Sequence, residues 1–393
     1  MRKIKWFKLI AILACMALIF AGCSGEGEKE TPNPSEGGTS TEGGTSTEGG
    51  EPVEETKTLN DYTLDEIIEK AKAEGHLESV GMPDSWANWG ETWEGYTATY
   101  GITHNDADMS SAEELAMFEN DPTRAIGDVG FGFTTKLVGT DGKELVQGYK
   151  TSYWDSVPDW AKGEDGKWMI AYTGCTAFLW NNDLMKGEMP TSWQAVREGD
   201  YKVAIGDVVG GANGQGAVIA TAYAFGGDID NLQPAFDFWK EMAEAGRING
   251  IDITYNNFES GEVPFGVIWS YNAYSYAGKL VEAKNYKVTY GIPSDGAILS
   301  GYASVINANT TTPFAAALAR EYIFSDEGQI NLAKSGAIPT RTNVVIPEEV
   351  TSATFDPATY AHAVGFADAD HYSEVCAQIG EWWAENIQPL IAQ

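Results

Sequence analysis

Asp84, Ser85 and Trp86 place a carboxylate, a hydroxyl and an indole side by side in Gly81-Met-Pro-Asp-Ser-Trp-Ala-Asn-Trp89. An acid beside an aromatic face holds an organic cation, by charge pairing and by attraction to the ring quadrupole. A second aromatic group, Trp269, Tyr271 and Asn272, follows the apolar run Val263 to Ile268. Ligands of open α/β sheets sit beyond the carboxyl ends of strands, so this group reads as two rings and an amide delivered to a crevice. It reads equally as a cap on the core, because alternate strand residues share one face. Ser110 and Ser111 open a helix, and Asn213-Gly-Gln215 precede another. Free N–H groups at helix starts favour a carboxylate or a phosphonate. Ser110 and Ser111 also have Glu113 and Glu114 three residues on, the pattern of two overlapping capping boxes. The residues leave cation and anion open.

No catalytic constellation accompanies them. The four histidines are His76, His104, His362 and His371, and neither Gly-x-Ser-x-Gly nor His-Glu-x-x-His occurs. Gly210 to Gly216 lacks the Gly-Lys-Ser/Thr of a phosphate loop, which disfavours nucleotide. A pair of carboxylates could still hydrolyse a glycoside, but no nucleophile and base can be named, so no enzyme is expected. Of 4 cysteines, only Cys175 and Cys376 lie in the folded part, with no zinc spacing and no disulfide framework. No cofactor and no metal are expected. A net charge of −32 weighs against nucleic acid or anionic lipid as partners.

The elements that must position these side chains alternate. Helices are expected over Tyr62 to Gly75, capped at Thr63 or Asp61, over Trp89 to Tyr100, from Ser110, over Ala217 to Phe225, over Gln233 to Gly246, over Phe314 to Phe324, over Glu327 to Ser335 and in the tail with Trp382 and Trp383. Strands are expected at His76 to Val80, from Ile102, at Gly127 to Phe131, Val203 to Asp207, 263–272, Val288 to Pro293 and Tyr302 to Ile306. Met169 to Trp180 is long for one strand and suits a crossing between lobes, which makes Tyr172 and Thr173 weaker site candidates. Asp295 is a turn residue or a further one. The pattern predicts an α/β protein with mostly parallel sheets.

The first residues carry an address. Arg2, Lys3, Lys5 and Lys8 precede the apolar run Leu9 to Gly22, which is short for a membrane span and fits a signal peptide over 1–22. Phe20-Ala-Gly-Cys23 resembles the bacterial lipobox, which implies a lipid on Cys23; the alternative is an ordinary signal with an incidental cysteine. Residues 23–57 are nearly free of apolar side chains and form a disordered Gly/Ser/Thr/Glu tether. A coil of that length spans on the order of 30 Å. The expected location is the outer face of the cytoplasmic membrane, held by lipid, as in a Gram-positive-type lipoprotein.

Several segments in order, Ala71-Lys-Ala-Glu-Gly75, Pro83 to Trp89, Ser110 to Leu115, Gly261 to Trp269, Ile292-Pro-Ser-Asp-Gly296, Pro313 to Ala317 and Phe324-Ser-Asp-Glu-Gly-Gln329, resemble the solute-binding proteins of bacterial ABC importers. The branch is the one with iron(III), thiamine and polyamine binders. The resemblance implies a type II periplasmic-binding-protein-like fold of two α/β lobes joined by crossing strands. It implies lobe 1 at 58–171 plus 263–295 and lobe 2 at 172–262 plus 296–393. It also implies a ligand in the interlobe cleft, closure of the hinge, and a monomer that docks on a permease. A sensor that presents its ligand to a signalling kinase is the alternative role. The iron binders' adjacent tyrosines are missing near Trp269-Ser-Tyr271, since Tyr274 and Tyr276 are not neighbours, so iron is disfavoured. What remains is a small polar organic solute: a cation such as thiamine or a polyamine, or a carboxylate or phosphonate.

Overall fold

The computed structural model describes residues 57–351 and 356–391. The signal peptide, Cys23 and nearly all of the tether lie outside the described residues. The strands are β1 (His76–Val80), β2 (Thr103–Ala107), β3 (Ile126–Gly130), β4 (Val146–Gln147), β5 (Trp168–Asn181), β6 (Val203–Ala204), β7 (Ile248–Asn249), β8 (Phe265–Trp269), β9 (Val288–Gly291), β10 (Ile298–Asn307), β11 (Ile338–Pro339) and β12 (Val364–Gly365). Their order is β2-β1-β3-β10-β5-β8-β6-β7.

The long strand β5 does what its length suggests. Trp168 to Cys175 pair antiparallel with β10, and Thr176 to Asn181 pair antiparallel with β8 and β9. One sheet, with β1, β2, β3 and β10, thus gives way to a second, with β6, β7, β8 and β9, along a single buried strand. Parallel pairing holds at the flanks, in β1–β2, β1–β3, β6–β7 and β6–β8, and the centre around β5 and β10 is antiparallel. The pairing differs from the expected division at 263–295. Phe265–Trp269 belong with β6 and the later half of β5, and Ile298–Asn307 belong with β3 and its earlier half. Two apolar strands that flank one long crossing strand carry the same local signal. Only the ladder tells which end each one joins.

Local chemistry sets the helix ends. Thr63 caps Leu64–Glu74 in a capping box with Glu66, and Gly75, at φ 70, stops it in the left-handed region that glycine tolerates. The expected strand over 263–272 is shorter. It ends at Trp269, the N-cap of the helix Ser270–Lys284, so Tyr271 and Asn272 occupy a first helical turn. The Gly210 to Gln215 loop is also partly helical, since the helix Ala212–Ala224 begins five residues before the expected Ala217. Asp207 accepts from the N–H groups of Val209 and Gly210 at 2.9 and 3.0 Å and starts that turn. Cys175 and Cys376 are free and buried, and burial pushes both thiols up to about 12. Among the described residues, no helix is long and apolar enough to cross a membrane.

Candidate functional site

Four connections leave the carboxyl ends of parallel strands and face one another. Gly81 to Trp86 follow β1 and Asp108 to Ser111 follow β2, in the first sheet. Ile205 to Asn213 follow β6 and Gly250 to Tyr255 follow β7, in the second. These segments, with Tyr276, Tyr302 and Trp383, line a cleft of ≈ 640 Å³. Parallel strands leave such a crevice because their successive connections diverge at the carboxyl edge.

The charge in this cleft has one sign. Asp108, Glu113, Glu114, Asp207 and Asp252 line it, and no lysine, arginine or histidine is among the described lining residues. Asp108 comes from one sheet and Asp252 from the other. Both reach solvent, yet both are held above the ordinary aspartate range. For Asp108 the cause is lost hydration and then repulsion from Asp252 and Glu113. For Asp252 it is lost hydration, with repulsion from Asp207 and Glu113. Behind them, burial pushes Asp106 up to about 6, with repulsion from Asp108 and Asp84 adding to it. Uncompensated carboxylates around a concave space create a negative potential that draws and holds cations.

The floor is aromatic. Trp86 is half-buried and donates its Nε1–H to the Tyr172 hydroxyl at 3.2 Å; that hydroxyl donates to Asp128 at 2.6 Å. The Trp86 ring stands edge-on to Tyr302 at 5.8 Å and to Tyr271 at 5.9 Å. Tyr172 and Tyr302 stack at 5.9 Å, and Trp269 donates to the Tyr302 hydroxyl at 3.1 Å. Trp86, half-buried, and Tyr302, 7% exposed, thus form the cleft-side layer of a buried ring cluster.

The eleven candidate residues therefore separate. Ser85, Trp86, Ser110, Ser111 and Asn213 line the cleft. Tyr172, Trp269 and Tyr271 are buried beneath it, which agrees with the core-capping reading of the pair Trp269 and Tyr271 rather than with delivery into the crevice. Asn272 is buried and accepts from the Ala87 N–H at 3.1 Å, which ties the Trp86 loop to the helix of the other sheet. That loop needs the tie, because Ala87 and Asn88 both have positive φ, 47° and 62°. Gln215 is buried and donates to the Val209 carbonyl. Asp84 is exposed and is not on the cleft wall.

The two helix starts offered for an anion each have a carboxylate beside them, Glu113 at one and Asp207 at the other. Glu113 accepts from both the N–H and the hydroxyl of Ser110 at 2.9 Å, and the Ser111 hydroxyl accepts from the Gly130 N–H at 3.0 Å. Asp207 accepts from the Val209 and Gly210 N–H groups just ahead of the helix that starts at Ala212. An added anion would meet these carboxylates first. Sequence reading did not single out Asp108, Asp207, Asp252, Tyr255, Tyr276 or Tyr302. Asp108 had a usable signal, since it follows a strand. Asp252 follows a strand of two residues and had none.

Residues 132–364 match the family model described as bacterial extracellular solute-binding protein. No curated protein matches the sequence. The periplasmic binding protein AfuA from Actinobacillus pleuropneumoniae, solved with exogenous fructose-6-phosphate bound, is 15% identical with a TM-score of 0.61, over 79% of this chain and 98% of that one. Iron-bound HitA from Pseudomonas aeruginosa is 14% identical with a TM-score of 0.58, over 78% of this chain and 98% of that one. An ABC transporter structure from Clostridium perfringens is 20% identical with a TM-score of 0.54, over 80% and 99%. At these identities the likeness is one of fold, the type II architecture of two α/β lobes joined by crossing strands.

Proposed function

This chain belongs to the bacterial extracellular solute-binding proteins, and from that premise we propose that it captures a small organic cation in the cleft and delivers it to the permease of an ABC importer. One observation carries the choice of cation. The cleft sets five carboxylates and an aromatic floor around a solute-sized space with no basic side chain. An ammonium there gains charge pairing and ring contact together. A phosphate would lack any cationic partner. The similar structures do not decide the ligand, since one holds a sugar phosphate and another holds iron. Among the described residues there is no group of three or more His, Cys, Asp or Glu that could hold a metal ion.

In this reading β5 is the hinge. The lobe of β1, β2, β3 and β10 closes on the lobe of β6, β7, β8 and β9, so that Asp108 and Asp252 approach the same cation from opposite sides. A thermal-shift screen of amines and quaternary ammonium compounds against carboxylates, phosphonates and sugar phosphates tests the ligand class. At least one cation should raise the melting temperature in a concentration-dependent way. A response to anions alone would overturn it.

We also propose that Cys23 carries the lipid that holds the protein at the outer face of the cytoplasmic membrane. Cys23→Ser should move the protein from the membrane fraction to the medium; unchanged membrane association would refute the anchor.

A further inference from the structure

One loop of the first sheet is gripped by one helix of the second. Asn272, Tyr276 and Lys279 stand four and three residues apart on the helix Ser270–Lys284, a spacing that puts them on one face. All three reach the loop after β1. Asn272 Oδ1 accepts from the Ala87 N–H at 3.1 Å, Tyr276 meets the Ser85 side chain, and Lys279 Nζ donates to the Ser85 carbonyl at 3.4 Å. Trp86, between them, packs against both the main hydrophobic core and the smaller one that contains Tyr276. Asp84 in this loop and Glu91 just past it are the carboxylates that attract the half-buried Lys279. Glu91 also pairs with Lys334 at 2.6 Å. Asp84, which is off the cleft wall, thus pulls on a cation of the other lobe.

The loop does not hold this shape by itself. Ala87 and Asn88, at positive φ, adopt a conformation that costs an L residue energy and persists where neighbours over-determine it. Asn88 is answered within its own lobe, donating to the Asn331 carbonyl at 3.0 Å in a helix packed on the one this loop leads into. The Ala87 N–H is answered from the other lobe. The gripping helix starts at the hinge, where Ser270 Oγ accepts at 3.0 Å from the N–H of Cys175, the last β5 residue paired with β10. Lys279 lies nine residues past Ser270, about 13 Å along the axis. It has the longest lever of the three on any rotation about β5. Resting on β5 as the hinge, we propose that this helix face is a latch, which holds the lobes together before any solute arrives, and that Lys279 is the contact that must let go for the cleft to admit one. A solute then adds its contacts to a closure the empty protein has already made, and the latch sets how much of the empty population stands open.

Amide hydrogen exchange and small-angle scattering of the empty protein test this. The Ala87 N–H sits in a loop, yet in wild type it should exchange about 100-fold or more slowly than an unprotected amide. Lys279→Met keeps most of the stem and removes the charge. It should speed Ala87 exchange about tenfold and enlarge the radius of gyration, with the β1 amides unchanged. Asp84→Asn should act in the same direction by a smaller factor. Raising the salt from about 0.05 M to about 0.5 M should speed Ala87 exchange in wild type and leave Lys279→Met unmoved, a response that a lysine acting through packing alone would not give. An unprotected Ala87 in wild type, wild-type exchange that ignores salt, or a Lys279→Met protein with wild-type exchange and radius would each overturn the latch. Faster exchange at an unchanged radius would reduce the grip to a local tie on the loop and overturn it too. No solute enters the experiment, so each of these results leaves the cation reading to the thermal-shift screen.

Discussion

Asp252→Asn is expected to weaken cation binding about 30-fold, and Asp108→Asn by a similar factor. Two unit charges about 5 Å apart attract by roughly 3 kcal/mol at an effective dielectric near 20. Both acids are exposed at the cleft mouth, so screening reduces this to about 2 kcal/mol each, or about 30-fold. The two should be less than additive, because each variant also removes a repulsion that the other acid felt. Neither change should lower the melting temperature of the empty protein, since the Ile253 N–H that Asp252 Oδ1 accepts at 2.8 Å can be accepted equally by the asparagine carbonyl. The pH dependence has a fixed sign. Folded-state pKa values raised above their unfolded values mean that the folded protein binds protons more readily, so acid favours the empty fold. The same protons cancel the charge that holds the ligand. Affinity should therefore fall, while the contribution of Asp108 and Asp252 to empty-protein stability rises, as pH drops toward their raised values. Affinity unchanged within threefold in Asp252→Asn would remove that carboxylate from the site, and tighter binding would point to an anion.

Arg320→Met is expected to destabilise the protein by about 3–5 kcal/mol, without touching the cleft. Arg320 is completely buried in the helix Pro313–Ile323. Its Nε donates to the Ser304 hydroxyl at 3.1 Å. Nη1 donates to the carbonyls of Tyr149 and Gly166 at 3.0 and 2.8 Å, and Nη2 to those of Lys167 and Ser304 at 3.3 and 2.9 Å. One guanidinium thus ties the 149–167 segment to β10. Next to it, Glu321 is also buried and accepts from the Tyr149 hydroxyl and from the N–H and hydroxyl of Ser152. Methionine fills much of the volume but removes the guanidinium donors from four carbonyls, of which only Gly166 is shown to keep another, the Tyr149 N–H at 3.0 Å, and it removes a compensating charge near Glu321. Lysine, with one donor centre, should recover only part of the loss. Urea unfolding reads this as a lower midpoint at an unchanged slope. A loss under about 1 kcal/mol would mean that water or backbone movement satisfies those carbonyls.

How far the sequence could be read depended on how local each decision was. Met169 to Trp180 is legible as a crossing strand, because apolar side chains over that length fit only a strand buried in both sheets. The helix over Leu64–Glu74 is legible because Thr63, Glu66 and Gly75 act within a few residues of one another. Trp86 is legible as a wall residue because it follows a strand in a loop rich in turn chemistry. Trp269 and Tyr271 show the limit. Their types and spacing fit a cleft wall and a core layer equally, and the packing of Tyr172 and Tyr302 over them decides for the core.

By itself the chain determined its alternating α/β elements, its caps and its crossing strand, because hydrophobic period and capping are short-range physics. It also carried enough ordered segments to indicate the family. Only the tertiary structure decided the sign of the cleft. Asp108, Glu114, Asp207 and Asp252 lie up to 144 residues apart in sequence (252 − 108) and meet where two sheets face each other. The pair Glu113 and Glu114 concentrates the lesson. Both stood three residues after a serine, and both fitted a cap. One kept that role and the other turned into the interior, because the gap beneath Gly81 and Gly127 exists only once β1 and β3 are side by side.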